Sequence, residues 1–381
     1  MHSERIVIFG ITGSIGTNTE KVISAFPDKY SIVGCSSGKN TLKLNEIVRK
    51  HPSISDVCVL DEDETIKVDG NLNIHCGEEG LFKLLELKPD KVIMALPGKQ
   101  GWKVTLRAVE MGIPVLLANK ESLVIAGFFL GREITADRTK IVPIDSEHAA
   151  LLQILDGVKR ENISKVYITA SGGALRNMTK QEMLVAKVEQ ALDHPVWNMG
   201  AKVTVDSATM LNKGMELIEA FWLFDIEPEM LGVLVHPEVD VHAAVICKDG
   251  SSMAQIAPSS MIIPIAAALS YPEMLPVAQK FPELVSKYEN SSMNFFPPDL
   301  DKYPMLKLAF DLLNKKDFSG MVAYAISDEV AVEKFLKGDT TILEIHQTVA
   351  KAVNHFSSRS KLRNISELDD YIREIEEFCK D

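Results

Sequence analysis

The run Gly10-Ile11-Thr12-Gly13-Ser14-Ile15-Gly16 stands between a short apolar segment, residues 6–9, and a helical pattern that reaches about Phe26. Glycines at a strand-to-helix junction let the helix start close against the strand and leave its first N–H groups open to an anion. Further apolar runs at residues 30–35, 57–60, 91–96 and 115–118 alternate with helical stretches. This alternation predicts a parallel sheet flanked by helices, ending near Asp145. The spacing is GxxGxxG rather than GxGxxG, so taken alone it fits either a dinucleotide pyrophosphate or a tight turn with no ligand. The second strand ends in Ser36-Ser37-Gly38-Lys39-Asn40. Sites that prefer NAD usually place an acidic residue there for the ribose 2′-hydroxyl. A lysine among small hydroxyl residues suits a 2′-phosphate instead, which favours NADPH; the alternative is a solvated surface lysine.

At 381 residues, and about 150 residues per domain, the chain is expected to hold two or three domains. A formal net charge of −12 argues against nucleic acid or an anionic membrane as the main partner, so an anionic substrate needs a local basic pocket. Cys35, Cys58, Cys76, Cys247 and Cys379 are scattered, odd in number and in no CxxC pair. They fit reduced thiols in a cytoplasmic setting better than a disulfide scaffold or a zinc site. No apolar run approaches the ~18 residues of a membrane span, and Glu4-Arg5 runs straight into the first strand without a signal peptide.

From about residue 146 the pattern changes. Residues 166–169, 203–205, 233–235, 241–246 and 253–256 read as strands of a second sheet interrupted by helices, an α+β arrangement. Pro258, Pro264, Pro272, Pro276, Pro282, Pro297, Pro298 and Pro304 then mark a crossing segment with only short helices. Beyond it Met305, Leu308, Ala309, Leu312 and Leu313 recur at helical spacing, with further helices at about 326–336, 341–355 and 366–379. The expected fold is α/β: a Rossmann-like N-terminal domain (1–145), a central α+β catalytic domain (146–257), a Pro-rich linker (258–298) and a small all-α C-terminal domain (299–381).

Three strings carry chemistry. Asp145-Ser146-Glu147-His148 closes the apolar run 141–144, so it reads as a strand end with Asp145 and Glu147 on one side. Glu216 adds a third hard oxygen donor, enough to hold Mg²⁺, Mn²⁺ or Co²⁺ with positions open for substrate. A solvated strand end remains the plain alternative for the first two. Asn212, Lys213 and Glu216 share one face of a helix at i, i+1 and i+4, with a structural Lys213–Glu216 ion pair as the alternative. Ser171-Gly172-Gly173 is a small-residue turn that lets backbone and hydroxyl donors approach an anion, and with Ser207, Asn212 and Lys213 it makes a phosphate pocket. Asn119-Lys120-Glu121 follows a strand end, where open sheets place ligands, or else simply starts a helix. His194-Pro195-Val196-Trp197-Asn198-Met199-Gly200 reads as a lid-like loop, against the alternative of buried packing. A divalent ion beside a hydride donor points to reductive chemistry on an oxygenated substrate. Two rivals stay open: a plain NADPH-dependent dehydrogenase of a small phosphorylated carbonyl compound, and a dinucleotide-sensing protein without chemistry.

In this order the glycine loop, SGKN, NKES, DSEH, SGG, HPxWxMG and VDSATMLNKGxE resemble the 1-deoxy-D-xylulose 5-phosphate reductoisomerases, and DLDKYPMLKLA at 299–309 extends the likeness toward the C-terminus. The resemblance implies a three-domain homodimer that uses NADPH and a divalent cation on a small phosphorylated sugar-like substrate. It implies NADPH contacts from Thr12, Gly13, Ser14, Ile15, Gly38, Lys39, Asn40, Asn119, Glu121 and Gly200, and metal ligation by Asp145, Glu147 and Glu216. It further implies substrate contacts from Lys120, Ser146, Glu147, Ser171, His194, Trp197, Ser207, Asn212, Lys213 and Glu216, with catalysis resting on Lys120, His194 and the three carboxylates. Trp197 and Met199 are expected on the closing lid. The chain departs from the family's usual pattern at Ser260-Met261-Ile262, at Glu238-Val239-Asp240 and at Ile326-Ser327-Asp328-Glu329.

Overall fold

A computed structural model describes residues 3–60, 71–137, 139–285, 291–359 and 362–380. The chain divides into two compact units, Met1–Ser122 with Phe129–Ala149 and Ser260–Ser286, and Leu123–Phe128 with Ala150–Ser259 and Lys287–Asp381.

The first unit is built on seven strands: β1 (Glu4–Phe9), β2 (Tyr30–Ser37), β3 (Asp56–Val59), β4 (Asn73–Cys76), β5 (Lys91–Met94), β6 (Val115–Leu117) and β7 (Ile141–Pro143). Their order is β4-β3-β2-β1-β5-β6-β7, and every pair is parallel. A parallel sheet is covered on both faces, which is why Ile6, Val7, Ile8 and Phe9 form an unbroken apolar run with no exposed surface. β1 has β2 on one side and β5 on the other, so the strand order reverses at its C-terminal end, where the glycine loop begins. The expected strands are all present. β4 was not expected, because Asn-Ile-His-Cys is only four residues long and carries no apolar run.

The start of the Pro-rich stretch belongs to this first unit. The helix Ile262–Ser270 carries Pro264 in its first turn, where no N–H is needed, and packs on the helix Ser14–Ala25 and on β7. Its Leu269 carbonyl accepts from Lys91 Nζ at 2.7 Å and from the Tyr30 hydroxyl at 3.3 Å.

The second unit holds β8 (Ile163–Ala170), β9 (Leu231–Val235), β10 (Val241–Cys247) and β11 (Ser252–Ile256) in the order β11-β10-β8-β9, with only the β8–β9 pair parallel. The helices Pro304–Lys315, Phe318–Leu336, Ile342–Phe356 and Ile365–Lys380 close the chain. The helix Phe318–Leu336 begins well before the expected residue 326, capped by Asp317, whose carboxylate accepts from Gly320 N.

Residues 203–205, expected as a strand, lie instead in the helix Ala201–Thr209. The Val-Thr-Val run favours a strand locally, but Lys202 Nζ reaches both Asp206 on its own helix and buried Asp328 on Phe318–Leu336, each at 2.6 Å. Tertiary contacts outweigh propensity here. Two further departures from the family pattern also have partners: Glu238 accepts from Asn294 Nδ2 at 2.7 Å, and Ser260 Oγ from Ile262 N at 3.3 Å. No described helix is long and apolar enough to cross a membrane.

Candidate active site

In the first unit the glycine loop is held from two sides. Gly10 has φ +83°, and a Cβ there would lie 2.5 Å from the Ala95 carbonyl oxygen. A Cβ on Gly16 would lie 2.4 Å from both Gly10 O and Ile11 Cα, so the helix Ser14–Ala25 can start tight against β1 only with glycine. Gly13 caps that helix without a side-chain acceptor, which leaves first-turn N–H groups for an anion. This cradle fits a dinucleotide pyrophosphate.

Ser36 and Ser37 have a different task from the one expected. Both are fully buried. Ser36 Oγ accepts from Gly10 N at 3.0 Å, and Ser37 Oγ shares a 2.9 Å hydrogen bond with Thr12 Oγ1. They brace the glycine loop. Asn40 Oδ1 also caps the helix Thr41–Lys50 by accepting from Lys43 N at 3.1 Å.

Asn119 is buried and acts as a brace. Its Nδ2 donates to Leu96 O at 2.9 Å, Gly98 O at 2.8 Å and Glu121 Oε2 at 3.0 Å, while its Oδ1 accepts from Ser122 N and Oγ. With its amide engaged in this way, Asn119 ties the segment after β6 to the loop after β5. Lys120, beside it at the start of the helix Glu121–Ala136, sets Nζ 2.6 Å from Asp145 Oδ2, in the turn after β7.

Asp145 and Glu147 are not a strand end. β7 stops at Pro143, and the Asp145 carbonyl accepts from Ala149 N at 2.8 Å as the helix Ser146–Gly157 opens. Glu147 is in the first helical turn, where negative charge is favoured, and Ser146 Oγ donates to its Oε2 at 2.6 Å. Strand alternation therefore does not relate the two carboxylates; a strand-to-helix turn does. Their half-buried hard oxygens suit a magnesium-class cation.

In the second unit, β8 ends in the Ser171-Gly172-Gly173 turn, where Gly172 and Gly173 have φ +85° and +71°. A Cβ on Gly173 would meet Ser207 O at 2.4 Å, so this glycine seats the turn against the last turn of Ala201–Thr209, where Ser207 lies. The loop at 193–200 approaches the same turn. His194 Nδ1 accepts from Trp197 N at 2.9 Å and Val196 N at 3.2 Å, so the neutral ring carries its proton on Nε2 and donates it to Ser171 Oγ at 2.9 Å. Burial, aided by the Arg176 charge, lowers the His194 pKa and favours that neutral form. Ser171 Oγ also accepts from Gly173 N at 3.1 Å. With two donors aimed at its oxygen, the hydroxyl proton is the part available to an anion.

Asn212, Lys213 and Glu216 share a face of the helix Leu211–Phe224, as expected. The Lys213–Glu216 ion pair is formed on this face: Asn212 Nδ2 donates to Glu216 Oε1 and Lys213 Nζ to Glu216 Oε2, each at 2.5 Å, with Lys213 and Glu216 buried. Gly214 is required by packing: its Cβ would lie 2.3 Å from the hydroxyl of fully buried Tyr324. Trp197 is half-buried, with its ring 6.4 Å from that of His242, and Gly200 caps the following helix. Arg176, whose NH1 donates to Ser171 O at 2.8 Å, escaped the sequence reading. The signal was present, an arginine five residues beyond the serine, but its partner is a backbone carbonyl.

The parallel sheet and its glycine cradle define a dinucleotide-binding protein of the Rossmann type. Family models described as 1-deoxy-D-xylulose 5-phosphate reductoisomerase match residues 6–127, its C-terminal domain residues 141–224, and the DXP reductoisomerase C-terminal domain residues 256–375. The chain is 38% identical to the 1-deoxy-D-xylulose 5-phosphate reductoisomerase of Thermodesulfovibrio yellowstonii, over 98% of each chain. It is 40% identical to that of Exiguobacterium sibiricum, over 92% of this chain and 91% of the other. A solved DOX-P reductoisomerase in complex with NADPH, fosmidomycin and magnesium is similar with a TM-score of 0.90 at 31% identity, covering 99% of this chain and 97% of that one. The Zymomonas mobilis enzyme in complex with NADPH gives 0.86 at 29% identity, covering 99% and 98%. The chain belongs to the 1-deoxy-D-xylulose 5-phosphate reductoisomerase family.

Proposed function

We propose that this enzyme converts 1-deoxy-D-xylulose 5-phosphate to 2-C-methyl-D-erythritol 4-phosphate, a rearrangement followed by reduction, in the non-mevalonate route to isoprenoid precursors. The observation that carries the reading is the near-full-length identity to named reductoisomerases. NADPH and a divalent cation are its cofactors: when bound, the first supplies hydride and the second Lewis acidity toward the ketone and its neighbouring hydroxyl.

In this reading Asp145, Glu147 and Glu216 hold the cation, with magnesium, manganese or cobalt as candidates. Thr12, Gly13, Ser14 and Ile15 take the pyrophosphate. Gly38, Lys39 and Asn40 take the 2′-phosphate, and Glu121 and Gly200 complete the cofactor contacts around the wall shaped by Asn119. Ser171, Ser207, Asn212 and Lys213 receive the substrate phosphate. Ser146 and Glu147 meet its oxygenated backbone, and the Lys120 ammonium stabilises developing oxyanion charge. His194 donates through Nε2 to Ser171 Oγ and so leaves the serine proton for the phosphate, and Trp197 and Met199 close over the substrate and exclude water. Functionally we divide the chain into 1–145 for cofactor, 146–257 for catalysis, 258–298 as connection and 299–381 as helical support. We place the enzyme in the cytoplasm as a homodimer.

The test is NADPH oxidation with 1-deoxy-D-xylulose 5-phosphate, with and without EDTA, and with the carbon skeleton of the product determined. The expected result is chelator-sensitive turnover to a branched product. Chelator-resistant turnover to an unrearranged alcohol would mark a plain dehydrogenase, and tight NADPH binding with no turnover a sensor.

A further inference from the structure

We propose that Lys302 and Tyr303 are positioning residues that set the Ser171 hydroxyl for the substrate's phosphate by gripping the backbone of the turn behind it. The inference rests on the functional reading above.

After Gly173 the chain makes a turn over residues 174–178 before the helix Lys180–Leu184. A turn that does not continue as a helix leaves carbonyls without N–H partners. Three carbonyls of the turn converge on one ammonium: Lys302 Nζ donates to Met178 O at 2.6 Å, Arg176 O at 2.7 Å and Leu175 O at 3.2 Å, the last of which also accepts from Met178 N at 3.1 Å. A lysine has three N–H donors, and all three are spent here. Lys302 is 9% exposed. Burial lowers its pKa, opposed by the charges of Asp299 and Glu182.

Tyr303 continues the grip one step closer to the site, where its hydroxyl donates to Gly172 O at 3.3 Å. Burial pushes this phenol up to about 12, so it stays a donor at neutral pH. The Arg176 guanidinium holds Ser171 O. The gripping segment is itself set in place, because Asp299 Oδ1 accepts from Asp301 N at 3.0 Å and Lys302 N at 3.1 Å, and Pro304 opens the next helix. The carbonyls of the turn are thus clamped, while the Ser171 hydroxyl, which takes donors from His194 Nε2 and Gly173 N, has only its proton to give. Neither Lys302 nor Tyr303 contributes a donor to the substrate. Their effect runs through the placement of Ser171 relative to Ser207, against which Gly173 is seated.

The experiment uses the full chain with NADPH and magnesium saturating. Lys302→Met should raise the substrate KM, and the inhibition constant of inorganic phosphate, by about tenfold, with the NADPH KM within about twofold and kcat within about threefold. Lys302→Arg should restore the substrate KM to within about threefold, because it keeps charge and multiple donors. Tyr303→Phe should raise that KM about threefold. An unchanged substrate KM in a Lys302→Met enzyme with a lowered thermal midpoint would show a merely structural role and overturn the proposal. So would an equal rise in the NADPH KM. Should Lys302→Met fail to fold, an unchanged KM in Tyr303→Phe has the same force. A wild-type enzyme that turns nothing over defeats the functional reading instead. Calorimetric binding of inorganic phosphate to wild type and Tyr303→Phe then tests the clamp alone.

Discussion

Replacing Gly173 with alanine tests whether the anion-binding turn is built on contact between two backbones. At φ +71° an alanine bears a left-handed conformation that costs about 1–2 kcal/mol. The added Cβ would also lie 2.4 Å from Ser207 O, 2.8 Å from Ser207 C and 2.7 Å from Ala208 Cα. Because these are backbone atoms of a helix and not the end of a flexible side chain, relief requires moving the turn. Overpacking of this kind costs about 1–3 kcal/mol, for a total of about 2–5 kcal/mol.

Gly250 supplies the control, since it has φ +89° and nothing within 4 Å of a Cβ. It lies in the same compact unit, so Gly250→Ala carries the backbone strain without the clash. Chemical denaturation followed by tryptophan fluorescence should find Gly173→Ala the less stable of the two by about 1–3 kcal/mol. Steady-state kinetics should find its substrate KM raised by on the order of tenfold, since Ser171 moves with the turn. Equal destabilisation by the two substitutions would refute the close-approach argument, whatever happened to the kinetics.

Glu147→Gln keeps the shape of the side chain but removes its charge, and should lower turnover by about two orders of magnitude with NADPH affinity nearly unchanged; wild-type turnover at low magnesium would exclude it as a ligand. Lys39→Ala should weaken NADPH by about tenfold and NADH hardly at all, as fluorescence titration would show. Acid should also destabilise the helical region through His346, whose pKa burial lowers from 6.5 to about 4. The unfolded chain takes up that proton first, so stability is constant above about pH 6.5 and falls as the pH drops towards 4. The loss from this one group is about 2 kcal/mol between pH 7 and pH 5, and His346→Leu should remove that part of the slope in denaturation measured at both pH values.

How far the sequence could be read depends on which contacts specify each element. β1 was legible because a parallel strand buried on both faces must be apolar throughout, and Gly10 and Gly16 because a strand-to-helix junction leaves no room for a Cβ. The serines before Gly38 were placed at the right strand end with the wrong partner. A hydroxyl reads alike whether it faces a phosphate or, as Ser36 does, a loop N–H. The Val203-Thr204-Val205 run was misread because the forces that make it helical come from Asp328, more than a hundred residues away. The period-two argument that relates Asp145 to Glu147 needs the strand to run through residue 147, four residues beyond the end of β7, and a strand-to-helix turn takes its place.

The grip on the Ser171 turn shows a limit of a different kind. Motif reading finds side chains that act on other side chains or on ligands, and Ser171, His194, Asn212 and Lys213 are of that sort. Lys302, Tyr303 and Arg176 act on carbonyl oxygens, and every residue has a carbonyl. Nothing in the letters at 172, 175, 176 or 178 identifies them as acceptors. Burial supplies the missing signal: a lysine at 9% exposure must find partners for its ammonium or lose its charge, and where no carboxylate pairs with it the partners are backbone. A buried lysine two residues before the proline that opens a helix can therefore be sought as a clamp on a neighbouring turn, and the turn it holds is where to look for a hydroxyl whose position matters.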